Sequence, residues 1–160
     1  MPTSATPPTR QDFGVLLNLA FGAFKTELHE ALAQAGFDDI GPSFGYVFRL
    51  LADAPLNLRE VAHELGMTAP GALKIVNDMA ALGYLERLEH AGDARQKLLT
   101  LTARAREAMA VAHAFHVRFE ATLAHRIGIR ETQGARRVLE AIVEASDARP
   151  GNERSRLRPL

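Results

Sequence analysis

Cysteine is absent from the 160 residues, which excludes disulfides, thiolate nucleophiles and cysteine-based redox sensing. Tryptophan is absent too and tyrosine occurs twice, so the eight phenylalanines carry nearly all the aromatic character. Neither charge dominates: 19 Lys and Arg balance 19 Asp and Glu, and composition by itself announces no polyanionic partner. No apolar run approaches the ~20 residues of a membrane span. The opening MPTSATPP has neither the basic nor the apolar part of a signal peptide. A phosphate-cradling Gly-rich loop and a Gly-x-Ser-x-Gly elbow are both missing, so neither an enzyme nor a bound cofactor is expected. What is present is an ordinary soluble composition, 47% apolar and 24% charged, in a chain sized for one domain with one core. It fits a cytoplasmic location without a membrane partner.

Along the chain, helix signals alternate with well-placed breakers. Thr9 is a candidate N-cap with Asp12 three residues on. Apolar residues then recur at helical spacing to about Ala35 (Phe13, Leu17, Ala20, Phe24, Leu28, Ala31), with a second stripe at Leu16, Leu19 and Ala23. A helix with two apolar sides must bury both, which calls for a partner chain as well as its own core. Gly36 stops it, and Pro42 starts a short helix bearing Phe44, Val47, Phe48 and Leu51. Asn57 with Glu60 forms a capping box before Leu58, Val61, Ala62 and Leu65. Thr68 caps the next helix, which has Pro70 in its first turn and runs to Gly83. "YLERLEH" and "KLLTLT" read as two strands about the turn "AGDAR". Thr102 caps a long helix to about Ile127; "GIRETQG" is a turn, and a last helix runs through Val138, Leu139, Ile142 and Ala145. Residues 1–8 and the basic stretch 148–160 read as disordered tails.

Helix, turn, helix and hairpin in that order describe a winged helix. In its second helix Ala72, Ile75, Val76, Met79 and Leu82 share an inward face, while Pro70, Leu73, Lys74, Asn77, Asp78 and Ala81 face out. On a recognition helix, Asn77 can pair with adenine, Lys74 can reach guanine or phosphate, and Leu73 or Pro70 can touch thymine methyls. Gly92-Asp93 suits a hairpin tip and holds Arg95 beyond the core with Lys97 behind it. An arginine so placed can enter a minor groove. The charge balance opposes this. Residues 57–102 hold Arg59, Lys74, Arg87, Arg95 and Lys97 against Glu60, Glu64, Asp78, Glu86, Glu89 and Asp93, which is no basic patch. The alternative function is a winged-helix protein-interaction module with weak or no operator binding.

The run "LREVAHELGMTAPGALKIVNDMAALGYLER…GDARQKLLTLTARARE" resembles the MarR family of bacterial transcriptional regulators. The resemblance rests on Gly83-Tyr84-Leu85, Asp93-Ala94-Arg95 and Leu101-Thr102. It implies a mainly α fold with a small β-hairpin wing: one domain over residues 9–147, its lobe at 42–102, its dimerisation helices at 9–36 and 103–147. It further implies a homodimeric repressor on a palindromic double-stranded DNA operator, released when a small, often aromatic, effector binds. Two departures stand out: Ala94 where the family often has a second wing arginine, and Pro70, Gly71, Leu73 and Lys74 where it often has Ser/Thr and Arg.

Two further groups admit a sharper reading. Phe21, Phe24, Phe44, Phe48 and Phe115 serve core and dimer packing, or some of them line an apolar effector crevice between the dimer base and the DNA lobe. His113 and His116 stand one helical turn apart with Glu120 beyond. They could share a metal in a metal-dependent enzyme or sensor, but such spacing is common by chance and no metal is expected. Glu60-x-x-His63 is half of a carboxylate-bridged iron motif and has no second copy.

Overall fold

Three helices end in the same way, and that ending places much of the core. The computed structural model describes residues 12–90 and 93–147, with the backbone alone at 89, 90, 93–96, 146 and 147. Helices α1 (Phe13–Gln34), α3 (Leu58–Glu64) and α4 (Ala69–Ala81) are each followed by a glycine of positive φ: Gly36, Gly66 and Gly83. The next residue donates its N–H to the carbonyl five positions back: Phe37 to Leu32 at 2.9 Å, Met67 to Ala62 at 3.0 Å, Tyr84 to Met79 at 2.8 Å. That bond satisfies a carbonyl left open at the helix end. It also turns an apolar side chain back under the helix, where Phe37 and Tyr84 are buried and Met67 half-buried.

The remaining elements are α2 (Phe44–Leu51), β1 (Leu56–Asn57), β2 (Leu85–His90), β3 (Asp93–Leu101), α5 (Ala103–Ile127) and α6 (Ile129–Asp147). The strands form one antiparallel sheet in the order β1-β3-β2. The fold is thus mainly helical with a small winged sheet. Its core gathers α2, α3, α4, the sheet and the first turns of α5, with Val47, Val61, Val76, Met79 and Tyr84 at 1% exposure or less. The caps follow the side-chain chemistry. Asn57 Oδ1 accepts from the Arg59 and Glu60 amides while Glu60 accepts the Asn57 N–H at 2.7 Å, completing the capping box. Thr102 Oγ1 accepts the Ala105 N–H at 3.2 Å and donates to the Gly83 carbonyl at 2.6 Å. The start of α5 is therefore fastened to the end of α4.

Several boundaries depart from the sequence reading. Thr9 lies outside the described residues, and α1 begins after Asp12, whose side chain makes no capping bond. Strand β1 is an addition: two residues show no alternation, and pairing with β3 (Leu56 opposite Leu99) makes them a strand. Tyr84 closes α4 and does not open the strand. The expected turn "AGDAR" is shorter, because β3 already starts at Asp93 and Arg95 sits within it. Leu82, expected inward, is 38% exposed, since it is the C-cap where α4 leaves the core. The turn "GIRETQG" contracts to Gly128 at φ 103°. Thr132 returns both its N–H (3.1 Å) and its hydroxyl (2.9 Å) to the Gly128 carbonyl, so α6 begins at once.

The sequence did not signal the polar clasp around Tyr84. Its ring packs edge-on against Phe44 and Phe48, with centroids 5.9 and 5.6 Å away, and its hydroxyl donates to Asp39 Oδ1. Arg104 Nη2 donates to Asp39 at 2.9 Å and to the Tyr84 hydroxyl at 3.3 Å, and its guanidinium lies 4.8 Å from the Tyr84 ring centre. Burial, followed by the hydrogen bond to Asp39, pushes the Tyr84 phenol up to about 12. The Tyr84 hydroxyl, followed by the charge of Arg104, holds the Asp39 carboxyl below its ordinary value. The two directions define a pH window. The Asp39 contribution is lost as pH falls through the carboxylate range, and the Tyr84 contribution is lost as pH rises from about 10 towards 12. Tyr84→Phe should cost roughly 1–3 kcal/mol at neutral pH. In denaturant titrations between pH 9 and 12 the variant should lose less stability than the wild-type chain; parallel loss would remove the clasp from the account.

Candidate nucleic-acid interface

Helix α4 owes its orientation to its first turn and its buried stripe. Thr68 Oγ1 accepts the Gly71 N–H at 3.3 Å, and Pro70 occupies a position where no N–H is needed. Ala72, Val76 and Met79 are buried and Ile75 half-buried. Pro70, Leu73, Lys74, Asn77 and Asp78 are exposed as one outward ridge, with Leu73 at 41%. Leu73 thus shows a large apolar surface on an otherwise polar ridge.

The wing supplies the second half of the surface. Cross-strand pairing sets Leu85 opposite Leu101 and Arg87 opposite Leu99, so alternation puts all four on one face of the sheet. Leu85, Leu99 and Leu101 are buried, but Arg87 is exposed: at Arg87 the face runs past the edge of the core beside α4. There Arg87 Nη2 donates to Asn77 Oδ1 at 2.6 Å, tying the wing to the middle of the ridge. Lys97, two residues before Leu99, follows on the same face of β3 and is exposed. The Arg95 side chain lies outside the described residues. Arg87 was missed in the sequence, although the alternation of "YLERLEH" carries the signal: it places Arg87 on the face of Leu85, towards α4.

Glu60, one of the six acids, is committed to its own helix cap. Asp78 and Lys74 both border a shallow cavity of about 530 Å³ at the start of α2, between Gly41 and Leu82. Lys74, Arg87 and Lys97 thus project from elements that meet along one edge.

A different surface lies at the other end of the molecule. Helix α5 packs against both α1 and α6, and between these two runs an apolar groove of about 1250 Å³. Phe21 and Phe24 line it, but the five phenylalanines expected at an effector crevice do not share one cavity. Phe44 and Phe48 are spent on Tyr84 in the lobe core, and Phe115 is buried behind Phe24 at 5.5 Å. His116 stacks on Phe24 at 5.4 Å with 25° between the rings, and burial, followed by the charge of Arg49, lowers its pKa. Among the described residues no group of three or more His, Asp or Glu gathers as a metal site, and no helix is long and apolar enough to cross a membrane.

Residues 39–96 match the profile of the MarR family. The winged lobe is therefore similar to the MarR family. Its members are transcription regulators and not enzymes. Solved structures extend the likeness to nearly the whole chain. RV1404 from Mycobacterium tuberculosis superposes with a TM-score of 0.68 at 23% identity, covering 88% of this chain and 97% of its own. A MarR mutant from E. coli gives 0.62 at 17%, covering 84% and 98%. A MepR mutant from S. aureus, bound to an oligodeoxyribonucleotide, gives 0.57 at 18%, covering 85% and 99%. No curated protein matches. The chain has the fold of MarR-family transcriptional regulators.

Helix α4 stands on a single side-chain cap, Thr68. Thr68→Ala should cost about 1 kcal/mol of stability, the usual worth of such a cap. Urea denaturation checks this; an unchanged midpoint would mean that packing alone fixes the start of α4.

Proposed function

We propose that the chain is a homodimeric repressor that reads a palindromic DNA operator with α4 and the wing and is released by a small aromatic ligand. The observation that carries this reading is the joined ridge of Lys74, Asn77, Arg87 and Lys97, outward on two elements held together by a hydrogen bond. A convex helix with donors on its outer face suits a major groove, and a flanking wing suits the minor groove beside it. In this reading Leu73 and Pro70 meet thymine methyls, Lys74 and Lys97 meet phosphates, and Arg95 enters the minor groove. The division of the chain follows: residues 42–102 read DNA, while 9–36 and 103–147 form the dimer base.

The dimer is argued from unpartnered apolar surface. In α1 only Leu32 is buried, whereas Phe13, Val15, Leu16, Leu19 and Phe21 are each 46–58% exposed. Helix α6 exposes Ile129, Val138, Leu139, Ile142 and Val143 by 43–64%. Apolar residues gathered in this way on neighbouring helices mark an association surface. A second copy that set its own α1 and α6 into the groove would cover both by one two-fold operation. A two-fold protein implies a pseudo-palindromic site. Sedimentation should show a dimer at micromolar concentration, and Leu139→Glu should give monomers with much weaker DNA binding. A wild-type chain that stays folded and monomeric would overturn the dimer.

The ligand is supported by the groove wall at Phe21 and Phe24 beside His116, where an apolar ring has partners and a polar atom within reach. A ligand bound there acts on the base helices and, through them, on the spacing of the two lobes. A small aromatic acid should raise the melting temperature and weaken operator binding together.

Operator binding itself is tested by mobility shift on the DNA upstream of the coding sequence. Lys74→Ala should weaken binding to all sequences alike and lower the salt slope by about one. Arg95→Ala should cost ~1–3 kcal/mol per protomer, most where A·T-rich sequence narrows the minor groove. No retardation at low salt would favour a protein-interaction module, for which the exposed Leu73 is the motivating residue.

A further inference from the structure

The contact between Arg87 and Asn77 does more than brace the wing. An amide side chain can be built in either of two flips, and only its partners decide which is right. Here the partner decides unambiguously. A guanidinium carries donors only, so the atom of Asn77 that faces Arg87 Nη2 at 2.6 Å must be the carbonyl oxygen. The amide NH₂ is then the group that Asn77 presents elsewhere, and both residues are exposed. Among the described residues the guanidinium makes no second hydrogen bond, so it too has N–H groups to offer. The pair therefore offers an incoming molecule donor groups from both residues, with one lone pair of its acceptor already engaged.

That pattern selects among base edges. A free asparagine pairs with adenine by accepting from N6 and donating to N7. With one lone pair of its oxygen held by a cationic donor, Asn77 is a weaker acceptor than a free asparagine. In the major groove the base edge with two neighbouring acceptors is that of guanine, O6 and N7. We propose that Arg87 is a specificity-determining residue: by engaging the Asn77 oxygen it makes the centre of α4 a paired-donor reader of guanine, where Asn77 alone would read adenine. This rests on the operator-binding reading above, and it replaces the adenine contact expected from the sequence. It also gives an uncharged asparagine and a residue on a different element one joint function at one base pair.

The test is selection from randomised duplex DNA with wild-type protein and three variants. Asn77→Ala identifies the base position that the residue reads, because preference is lost there. At that position the wild-type protein should prefer guanine to adenine by about tenfold or more, the discrimination of a good paired contact. Arg87→Met keeps much of the apolar stem but frees the Asn77 oxygen, and should move the preference towards adenine. Arg87→Lys restores a donor, though not the planar fork, and should recover guanine in part. A readout that needs no variant fold is the wild-type protein on a site carrying 7-deazaguanine at that position, which should bind several-fold more weakly than the guanine site. A wild-type preference for adenine there, or a guanine preference unchanged in Arg87→Met, overturns the proposal while leaving operator binding intact. Failure of the wild-type protein to enrich any sequence at low salt overturns both.

Discussion

Tyr84 is the residue on which the rest of the lobe depends. The glycine before it turns the chain out of α4, and its own N–H then closes that helix on Met79 at 2.8 Å. The carbonyl of Tyr84 accepts the Thr102 N–H at 3.1 Å, and the Gly83 carbonyl accepts the Thr102 hydroxyl. Two helix ends and the beginning and end of the wing thus meet within a few residues. The side chain completes the join. Its ring fills the space beside Phe44 and Phe48, and its hydroxyl brings in Asp39 from the segment after α1 and Arg104 from α5. A fully buried phenol is stable only with a partner for its hydroxyl; that need is met by the two segments that link the lobe to the terminal helices.

This arrangement relates the two surfaces of the molecule. The ridge formed by α4 and the wing leaves from one side of Tyr84, while α1 and α5, which frame the apolar groove, leave from the other through Asp39 and Arg104. Both surfaces are thus joined through the contacts of one residue. The groove itself is apolar because α1 carries hydrophobic residues on more sides than α5 can cover. The ridge is polar because the buried stripe of α4 uses Ala72, Val76 and Met79 and leaves every long polar side chain of the helix outside.

The legible part of the fold was the part governed by local chemistry. Asn57 and Glu60, Thr68 and Thr102 act through hydrogen bonds that span three residues, and sequence spacing specifies such bonds fully. The same holds for glycine after a helix and for the inward stripes of α2, α3 and α4. Failures occurred where a partner distant in sequence decides. Strand β1 is two residues made regular by β3. Leu82 fits the inward period but falls where the helix departs from its neighbour. The phenylalanines look alike in a string, yet Phe44 and Phe48 are sealed by Tyr84 whereas Phe21 lies open on the groove.

By itself the sequence determined the order of the helices and the hairpin, the caps at Asn57, Thr68 and Thr102, the winged lobe and the outward set of Pro70, Leu73, Lys74 and Asn77, because helical and strand periodicity assign faces without reference to other elements. Only the tertiary structure decided that Arg87 reaches Asn77 across ten residues of chain, that Asp39, Tyr84 and Arg104 form one clasp over 65, and that α1 and α6 leave a common groove over α5. The physical reason is the same in each case. A hydrogen bond or an apolar contact between elements depends on where the chain returns in space, and that is fixed by the packing of the whole core, not by any local spacing of residues.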